Sequence, residues 1–497
     1  MNPKYSTTRN ALAIAVAAAL GTTAVHAQIN DSIRGAPSEA NYFIETPAGW
    51  EHPVTEWGDP DIEATLDMMQ ASGVPFERCA NRRGGGGGFG RRGGGPPPGP
   101  CDMSQKWVPE EQYQAALVQL ENRVDRSIQL LEEGDLAGSI RAGITDPNRP
   151  QRMTSLIAVP EDGQLPELTS WAKAMAHQMG SDWPIPGEDI NFQSQLDFDS
   201  WDRCSTRGLP SMMMPYRYNG GFKIHQSPGY VIFNIEMIHE ARIIPLGDVP
   251  PLEQEIGQML GESRGHWEGN TLVIETTNFK GDLSDNIPLM NLAVPNSPPG
   301  NRFPASDEMK ITERVTRLND DWWLYEIKTE DPKVLTAPFT VRYPMHHDPE
   351  YWWPEYACWE DNHIVPMYVN GNRVRLENPE PDQPQDPIQV GAERAAMLNG
   401  RWVGEPDIGT IEYEVHIEFI DNGDGTVNGR LLGTTLPSGE IDKNLSGLSL
   451  NGDSFSWQFP NVDGWRYSGN ITEDGAIEGT SSSAQGTVYL NFHKLDM

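Results

Sequence analysis

One alternating stretch near the middle of the chain carries the side chains best suited to proton transfer. Residues 230–244 alternate between apolar and polar types, which predicts a long strand with a bend midway. Period two places Glu236, Glu240 and Arg242 on one face, whereas His239 falls on the opposite, apolar face. Neighbouring carboxylates raise each other's pKa, and an arginine can orient an anionic or polar group. The face is a candidate for acid–base catalysis, with structural Glu–Arg pairing as the alternative.

The densest cluster of titratable side chains is His346, His347 and Asp348, between two prolines. It could bind a divalent metal through the two histidines, or supply a histidine base that the aspartate orients. Adjacent histidines diverge on a strand, so metal binding requires a turn there. No HExxH or CxxC motif is present to select a metal. A surface turn is the alternative, and no other cofactor is indicated.

Aromatic side chains are the third candidate group. Trp352, Trp353 and Tyr356 follow the histidine cluster directly, and Trp322 lies on a neighbouring predicted hairpin. Aromatic rings stack on the apolar faces of sugars and of aromatic ligands. We therefore treat these residues as candidates for binding a small-molecule or glycan ligand. A core rich in tryptophan is the alternative.

Two further arginines lie in turns that contain glycine. Arg207 is followed by Gly208, and Arg264 by Gly265. An arginine in such a turn can bind a substrate carboxylate, or it can fix the loop by hydrogen bonds to backbone carbonyls. Fixing the loop is the preferred interpretation for both arginines. The GxSxG, P-loop and GxGxxG motifs do not occur in a fitting context.

The cysteines and the N-terminus indicate export. Residues 1–27 have the charged, apolar and small-residue regions of a secretory signal peptide. We expect its removal to leave no membrane anchor, in a periplasmic or secreted protein. Four cysteines allow three disulfide connectivities. The expected pairs join Cys79 to Cys101 and Cys204 to Cys358.

The charge of the chain excludes one class of partner. Asp and Glu number 71 against 37 Lys and Arg, which gives a net charge of −34. A chain this acidic repels phosphate backbones, so nucleic acid is not expected as a partner. The charge does not decide the oligomeric state.

The pattern along the chain predicts a mainly β protein with a helical N-terminal part. A short helix is expected near 61–70, and longer ones at 110–133 and 167–179. Strand pairs at 266–279 and 309–329, each around a polar turn, predict hairpins of a curved antiparallel sheet or barrel. Regular turns predict a small C-terminal β-barrel or sandwich. The segments expected are a turn-rich region 28–103 with a Gly/Arg/Pro-rich loop 81–100, a helical region 104–203, a β core 204–375, a linker 376–392 and a C-terminal domain 393–497.

Two resemblances extend this prediction. The motifs TRGLP (206–210), QSPGYVIFNIE (226–236) and GESRGHWEGNTLVIETTNF (261–279) resemble an uncharacterised family of secreted bacterial proteins, over residues 206–358. That resemblance implies no particular activity. Residues 393–497, with NGRWVGEPDIG, DGWRYSGNITEDGAIEGT and VYLNFHKL, are similar to the lipocalin-like β-domain fused to several secreted hydrolases. That similarity implies an accessory ligand-binding module.

These observations favour an exported enzyme with acid–base chemistry, either hydrolysis or elimination. Its substrate would be a small organic, glycan-like or aromatic molecule in a β-sheet cleft. The alternatives are a non-catalytic binding protein for a small molecule or glycan, and a structural protein of the cell envelope. A convergent acid–base pair beside a cleft would favour the enzyme.

Overall fold

A computed structural model gives the fold of the protein. The structure describes residues 42–79, 102–142, 150–178, 185–188, 192–198, 200, 202–215, 219–253, 256–280, 304–360, 362–378, 382, 384–407, 412–436, 439–460, 464–483 and 486–495. The predicted signal peptide (1–27), the glycine-rich loop (81–100) and Cys101 lie outside the described residues. So does the predicted Cys79–Cys101 pairing.

The first of two antiparallel sheets is a nearly closed barrel of ten strands. Its order is β5-β4-β3-β1-β10-β9-β8-β7-β6, and β2 pairs with β10. The strands are β1 Ala64–Asp67, β2 Ile157–Val159, β3 Gly221–Ser227, β4 Tyr230–Ile235, β5 Glu240–Pro245, β6 Glu262–Glu268, β7 Thr271–Thr277, β8 Lys310–Arg317, β9 Trp322–Glu330 and β10 Phe339–His347. The alternation of buried and partly exposed residues along β8 and β9 places one face of each strand in the core.

Closure of this barrel depends on the contact between β5 and β6, which stand at opposite ends of the strand order. A single backbone bridge joins Leu246, just after β5, to Gly265 of β6. A Cβ added to Gly265 would lie 2.6 Å from the Leu246 side chain and 3.0 Å from that of Ile244. Glycine at 265 therefore permits the close approach of the two end strands.

A buried ion pair spans the same seam from the inside. Arg242 of β5 donates to both carboxylate oxygens of Glu313 of β8, at 2.9 and 2.5 Å. The hydroxyl of Tyr325 donates to the same carboxylate at 2.6 Å. Arg242 also donates to Ser263 of β6 at 3.0 Å and to Thr276 of β7 at 3.4 Å. Arg242, on the first strand of the sheet order, thus forms hydrogen bonds to side chains of the last three strands, β8, β7 and β6.

The short helix expected near 61–70 is wrong. Residues Ala64–Asp67 form β1, in the middle of the sheet, and only Met69–Ala71 form a turn of 3₁₀ helix. Leu66 pairs with Phe222 of β3 and with His347 of β10. These two partners are far away in the sequence, so tertiary pairing overrides the local pattern of the segment.

The single long strand expected over 230–244 is instead a hairpin. The chain reverses at 236–239, so Ile235 pairs with Glu240 and Phe233 with Arg242. His239 closes this turn with a positive φ of 55°, and its amide donates to the carbonyl of Glu236 at 2.6 Å. The turn residues 236–239 include no Gly or Asn, which is why the alternation reads as continuous. Glu240 and Arg242 still share a face.

The second sheet forms the predicted C-terminal β-barrel. Its order is β11-β14-β13-β12-β20-β19-β18-β17-β16, and β15 pairs with β14. The strands are β11 Ile388–Gln389, β12 Gly400–Asp407, β13 Val415–Asp421, β14 Thr426–Thr434, β15 Glu440–Asn444, β16 Ser446–Asn451, β17 Ser454–Gln458, β18 Arg466–Ile471, β19 Ile477–Ser483 and β20 Gly486–Lys494. Stacked and edge-on rings fill its interior, among them Trp402, Phe419, Phe455, Trp457, Tyr467 and Phe492.

Five helices accompany the barrels in the described part of the chain: α1 Glu110–Glu132, α2 Leu136–Ala142, α3 Ser170–Gln178, α4 Ile364–Glu377 and α5 Ala392–Leu398. The helices expected at 110–133 and 167–179 are confirmed as α1 and α3. Helix α3 lies between the barrels, because Ala172 belongs to the core of the first and Ala176 to the core of the second. None of the helices among the described residues is long and apolar enough to cross a membrane.

Part of the expected linker 376–392 belongs to the second barrel. Ile388 and Gln389 form β11, which pairs with β14. Gln385 donates to the carbonyl of Leu445 at 2.5 Å and accepts from the amide of Gly429 at 2.8 Å. The predicted mainly β class, with a curved antiparallel barrel followed by a smaller β-barrel, is confirmed.

We predict that removing one partner of the buried ion pair destabilises the first barrel more than replacing both partners with apolar residues. Glu313→Leu leaves the Arg242 charge buried without its partner, and its free energy of unfolding should fall by about 3–5 kcal/mol. The double variant Arg242→Met/Glu313→Leu should lose less than the single one. Urea unfolding measures both.

The exposed ion pair between Lys310 and Glu275, at 2.6 Å, supplies the control on neighbouring strands. Glu275→Gln should cost less than about 1 kcal/mol. If Glu313→Leu were no more destabilising than this control, the pair would not hold the seam.

Candidate functional site

The candidate site lies where three segments meet at one end of the first barrel. They are the β4–β5 turn 236–239 with Glu240, residues 204–207, and residues 351–358, which we call the aromatic strap. The disulfide between Cys204 and Cys358 joins the last two segments, with their Cα atoms 5.6 Å apart. This disulfide confirms the predicted pairing and fixes two distant parts of the chain beside the turn.

The aromatic strap is held against the barrel by three further contacts. The hydroxyl of Tyr351 donates to Glu236 Oε2 at 2.5 Å. The Nδ1 atom of His239 lies 2.8 Å from the carbonyl oxygen of Tyr356. The ammonium of Lys223 lies 4.6 Å from the centre of the Trp353 ring. His239 is therefore exposed and bonded to the strap, rather than buried in the core as the sequence alternation predicts.

The first residue of β3 allows the strap to approach so closely. A Cβ added to Gly221 would lie 2.7 Å from Glu236 Oε2, 2.7 Å from the ring of Tyr351 and 3.0 Å from that of Trp353. The first two distances are shorter than real Cβ contacts, and the third is at their short limit. Packing of the strap onto the sheet therefore requires glycine at position 221.

Glu236 anchors this arrangement. Its side chain is buried, and its Oε1 accepts from Asn219 Nδ2 at 2.7 Å. Its Oε2 accepts from the amide of Gly221 at 2.9 Å and from Tyr351. Burial and the bond to this carboxylate raise the pKa of the Tyr351 hydroxyl, so the tyrosine stays a proton donor. Three donors occupy the Glu236 carboxylate, which leaves it little capacity for a substrate.

Glu240 is in the opposite situation. It is half-buried, and burial raises the pKa of its carboxyl from 4.5 to about 7, although a hydrogen bond from Thr206 and the charges of Arg207, Arg242 and His239 lower it. Its buried Oε2 has no hydrogen-bond partner within the described part of the chain. A carboxyl that is half-ionised near neutral pH and has a spare oxygen can both give and take a proton.

Two arginines stand beside Glu240. Arg207 is buried, and its Nη1 lies 3.8 Å from the sulfur of Met237 in the β4–β5 turn. Arg242 is buried as well, and of its side-chain nitrogens Nε finds no hydrogen-bond acceptor among the described residues. The structure thus brings together the predicted residues Arg207, Glu240 and Arg242, and places the strap residues near them.

The histidine cluster lies at the end of β10. His346 packs edge-on against Trp322, with ring centroids 4.9 Å apart. The Nδ1 of His347 lies 2.9 Å from the carbonyl oxygen of Thr65, and its ring packs on Trp323. The two histidines diverge because they are successive residues of one strand. Across the residues that the structure describes, no group of three or more His, Cys, Asp or Glu side chains could hold a metal ion.

The remaining candidates have other surroundings. Asp348 accepts from the amide of Glu350 at 3.2 Å, as in a turn. Arg264 donates to the carbonyl of Pro250 at 2.7 Å and pairs with Glu262, so it fixes the loop before β6. The side chain of Trp352 points away from the barrel, with 81 % of its surface exposed. None of these contacts involves the β4–β5 turn.

Sequence reasoning missed several residues of the site, among them Thr206, Asn219, Glu313 and Tyr351. Each acts through a partner that is distant in the sequence, as Tyr351 does through Glu236. Tyr351 belongs to the aromatic run 351–353 that the sequence does single out, so composition gave a partial signal. Thr206 begins the TRGLP motif, and no local pattern marks Asn219 or Glu313.

Comparison with known proteins adds little to this geometry. No protein-family model and no curated protein matches the sequence. A solved structure of a protein of unknown function from the DUF3598 family, from Nostoc punctiforme PCC 73102, aligns with 9 % identity and a TM-score of 0.12. The alignment covers 55 % of this chain and 87 % of that one. Similarity this weak supports no conclusion about function.

We predict that Glu240 makes stability depend on pH. In the folded protein the pKa of the Glu240 carboxyl is about 7, above the ordinary 4.5. Protonation of Glu240 therefore contributes to the free energy of unfolding. This contribution is fully present below pH 4.5 and is lost as the pH rises to about 7. Glu240→Gln removes this term. The stability of the variant relative to the wild type should therefore rise by about 1–3 kcal/mol between about pH 5 and about pH 8.

Chemical unfolding over that pH range measures the difference. Glu275→Gln, at an exposed glutamate, is the control and should show no comparable rise. A constant difference between Glu240→Gln and the wild type at every pH would mean that the Glu240 carboxyl has an ordinary pKa in the folded protein.

Proposed function

We propose that this chain is an exported enzyme that acts by acid–base chemistry, in hydrolysis or elimination, on a small organic, glycan-like or aromatic substrate. The site is the end of the first barrel between the β4–β5 turn and the aromatic strap. The observation that supports this most is Glu240, whose carboxyl combines a pKa raised to about 7 with an oxygen that has no hydrogen-bond partner among the described residues. Strongly perturbed carboxyls in partly open surroundings are typical of catalytic sites.

In this proposal Glu240 transfers the proton. Near neutral pH both of its forms are populated, so the ionised form takes a proton from the substrate or water and the neutral form returns it. Thr206 hydrogen-bonds the carboxyl and so orients it. Arg207 and Arg242 place positive charge where the reaction develops negative charge on the substrate. Glu236 holds the strap and does not react.

The aromatic strap binds the non-reacting part of the substrate. Tyr351, Trp353 and Tyr356 are all half-buried, so each leaves part of its ring accessible. Rings of this kind stack on sugars and on aromatic molecules. The interior of the second barrel is packed with aromatic side chains of its own, and we therefore place the substrate site in the first.

The second candidate is a non-catalytic binding protein for a small molecule or glycan. The strap favours it, because a disulfide, a buried hydrogen bond and a cation–π contact hold the aromatic rings in place. Rigid aromatic surfaces lower the entropic cost of binding. In both candidates the protein is exported, which accords with the signal-peptide pattern and with a disulfide that persists in an oxidising compartment.

Turnover by purified protein tests the proposal. We expect the wild type to convert at least one substrate of a panel of aryl esters, aryl glycosides, uronate-containing glycans and β-substituted acids, as followed by mass spectrometry. Glu240→Gln should lower kcat by about 10²–10⁴-fold, because the amide cannot take up a proton. Glu275→Gln should retain full activity.

Melting temperatures near pH 6 confirm that both variants are folded. Unchanged turnover in folded Glu240→Gln would exclude Glu240 as the proton-transfer group. Ligand binding without any turnover across the panel would favour the non-catalytic candidate.

A further inference from the structure

Two polar atoms on the inner face of β5 point to the chemistry of the ligand. Within the described part of the chain, Nε of Arg242 and Oε2 of Glu240 are buried and have no hydrogen-bond partner. They are two residues apart on one strand and therefore share a face. Buried polar groups are normally bonded, and leaving one unsatisfied costs about 1–3 kcal/mol. A ligand that bonds both atoms would remove this cost.

The hydrogen-bonding capacities of these two atoms determine which group of a ligand can bond to both of them. The Nε–H of arginine can only donate, so it requires an acceptor. A protonated Glu240 can donate as well, whereas an ionised one can only accept. A ligand carboxylate accepts from both at once, and each such bond is charge-assisted and strong. A neutral amide or hydroxyl would make weaker bonds.

The local charges agree with an anionic ligand. Arg207 and Arg242 contribute two positive charges, while Glu313, bonded to Arg242, and Glu240 contribute at most two negative ones. When Glu240 is protonated these four groups carry a net charge of +1. His239, the other charged group that affects Glu240, can only add positive charge. The three donors of the Glu236 carboxylate are neutral groups, and Glu236 is not among the charges that act on the pKa of Glu240.

We infer that the site binds an aromatic monocarboxylate, whose carboxylate lies between Arg242 Nε and Glu240 Oε2 and whose ring lies against the aromatic strap. This inference rests on the proposed function for the location of the site, and the monocarboxylate is the acid that hydrolysis of an aromatic ester would release there, with the proton taken from water on Glu240. The strap is tied to the β4–β5 turn through His239 and Tyr356, at 2.8 Å. We expect a ring one or two bonds from the carboxylate to reach the strap.

Binding of this ligand must take up a proton. Two ionised carboxylates cannot share one site, so the bound state keeps Glu240 protonated. The affinity is then constant at low pH and falls by about tenfold for each pH unit above the midpoint of Glu240. Arg207, Arg242 and His239 face Glu240, and Glu313 and Tyr325 stand behind Arg242.

Titration calorimetry with benzoate and its neutral analogue benzamide tests the inference on the wild-type protein. Between about pH 5.5 and about pH 8.5 benzoate stays ionised. We expect benzoate to bind at least tenfold more tightly than benzamide near pH 6, with uptake of up to one proton near pH 8, as measured in buffers of different ionisation enthalpy. Equal affinity for the two compounds, or no binding of benzoate, would overturn the inference.

Glu240→Gln separates the ligand class from the proposed function. The amide still donates to a carboxylate, so benzoate should bind this variant with no dependence on pH. Proton-linked benzoate binding without turnover of any substrate would leave the ligand class standing and overturn the enzyme. If neutral substrates are turned over in a way that depends on Glu240, but benzoate does not bind, the enzyme proposal stands and the ligand class is overturned. Glu275→Gln should bind benzoate like the wild type.

Discussion

The buried ion pair between Arg242 and Glu313 is the interaction on which the first barrel and its site depend. Among the described residues, one bridge joins the two end strands, so backbone hydrogen bonds alone do not close this sheet. Arg242 supplies the remaining connection through side chains of β6, β7 and β8. A buried charge of this kind is stable only while its partner is present. The pair therefore fixes the seam and, with it, the position of Glu240 two residues earlier.

The site is assembled on this seam from segments that the chain brings together over long distances. The disulfide between Cys204 and Cys358 spans 154 residues of sequence. It fixes the Arg207 segment and the aromatic strap on either side of the β4–β5 turn. Glu236 completes the arrangement by accepting the Tyr351 hydroxyl. Glu240 has a hydrogen bond from Thr206, but its Oε2 has no partner among the described residues. Burial therefore raises its pKa.

Much of the fold can be predicted from local pattern, because hairpins and amphipathic helices have local signals. The hairpins at β6–β7 and β8–β9, helix α1 and the second barrel all follow from alternation, turns and apolar spacing. Strand β1 could not be predicted, since its partners β3 and β10 lie far along the chain. The candidate list contained Arg207, Glu240 and Arg242, but the different surroundings of Glu236 and Glu240 depend on tertiary contacts. No sequence pattern distinguishes a carboxyl with three donors from one with a free oxygen.

The central claim is that Glu240 carries an exchangeable proton near neutral pH. A carbon-13 NMR titration of the glutamate side-chain carboxyls, with the Glu240 signal identified by its loss in Glu240→Gln, measures this directly. We predict a midpoint for Glu240 near pH 7. A midpoint near the ordinary 4.5 would contradict it.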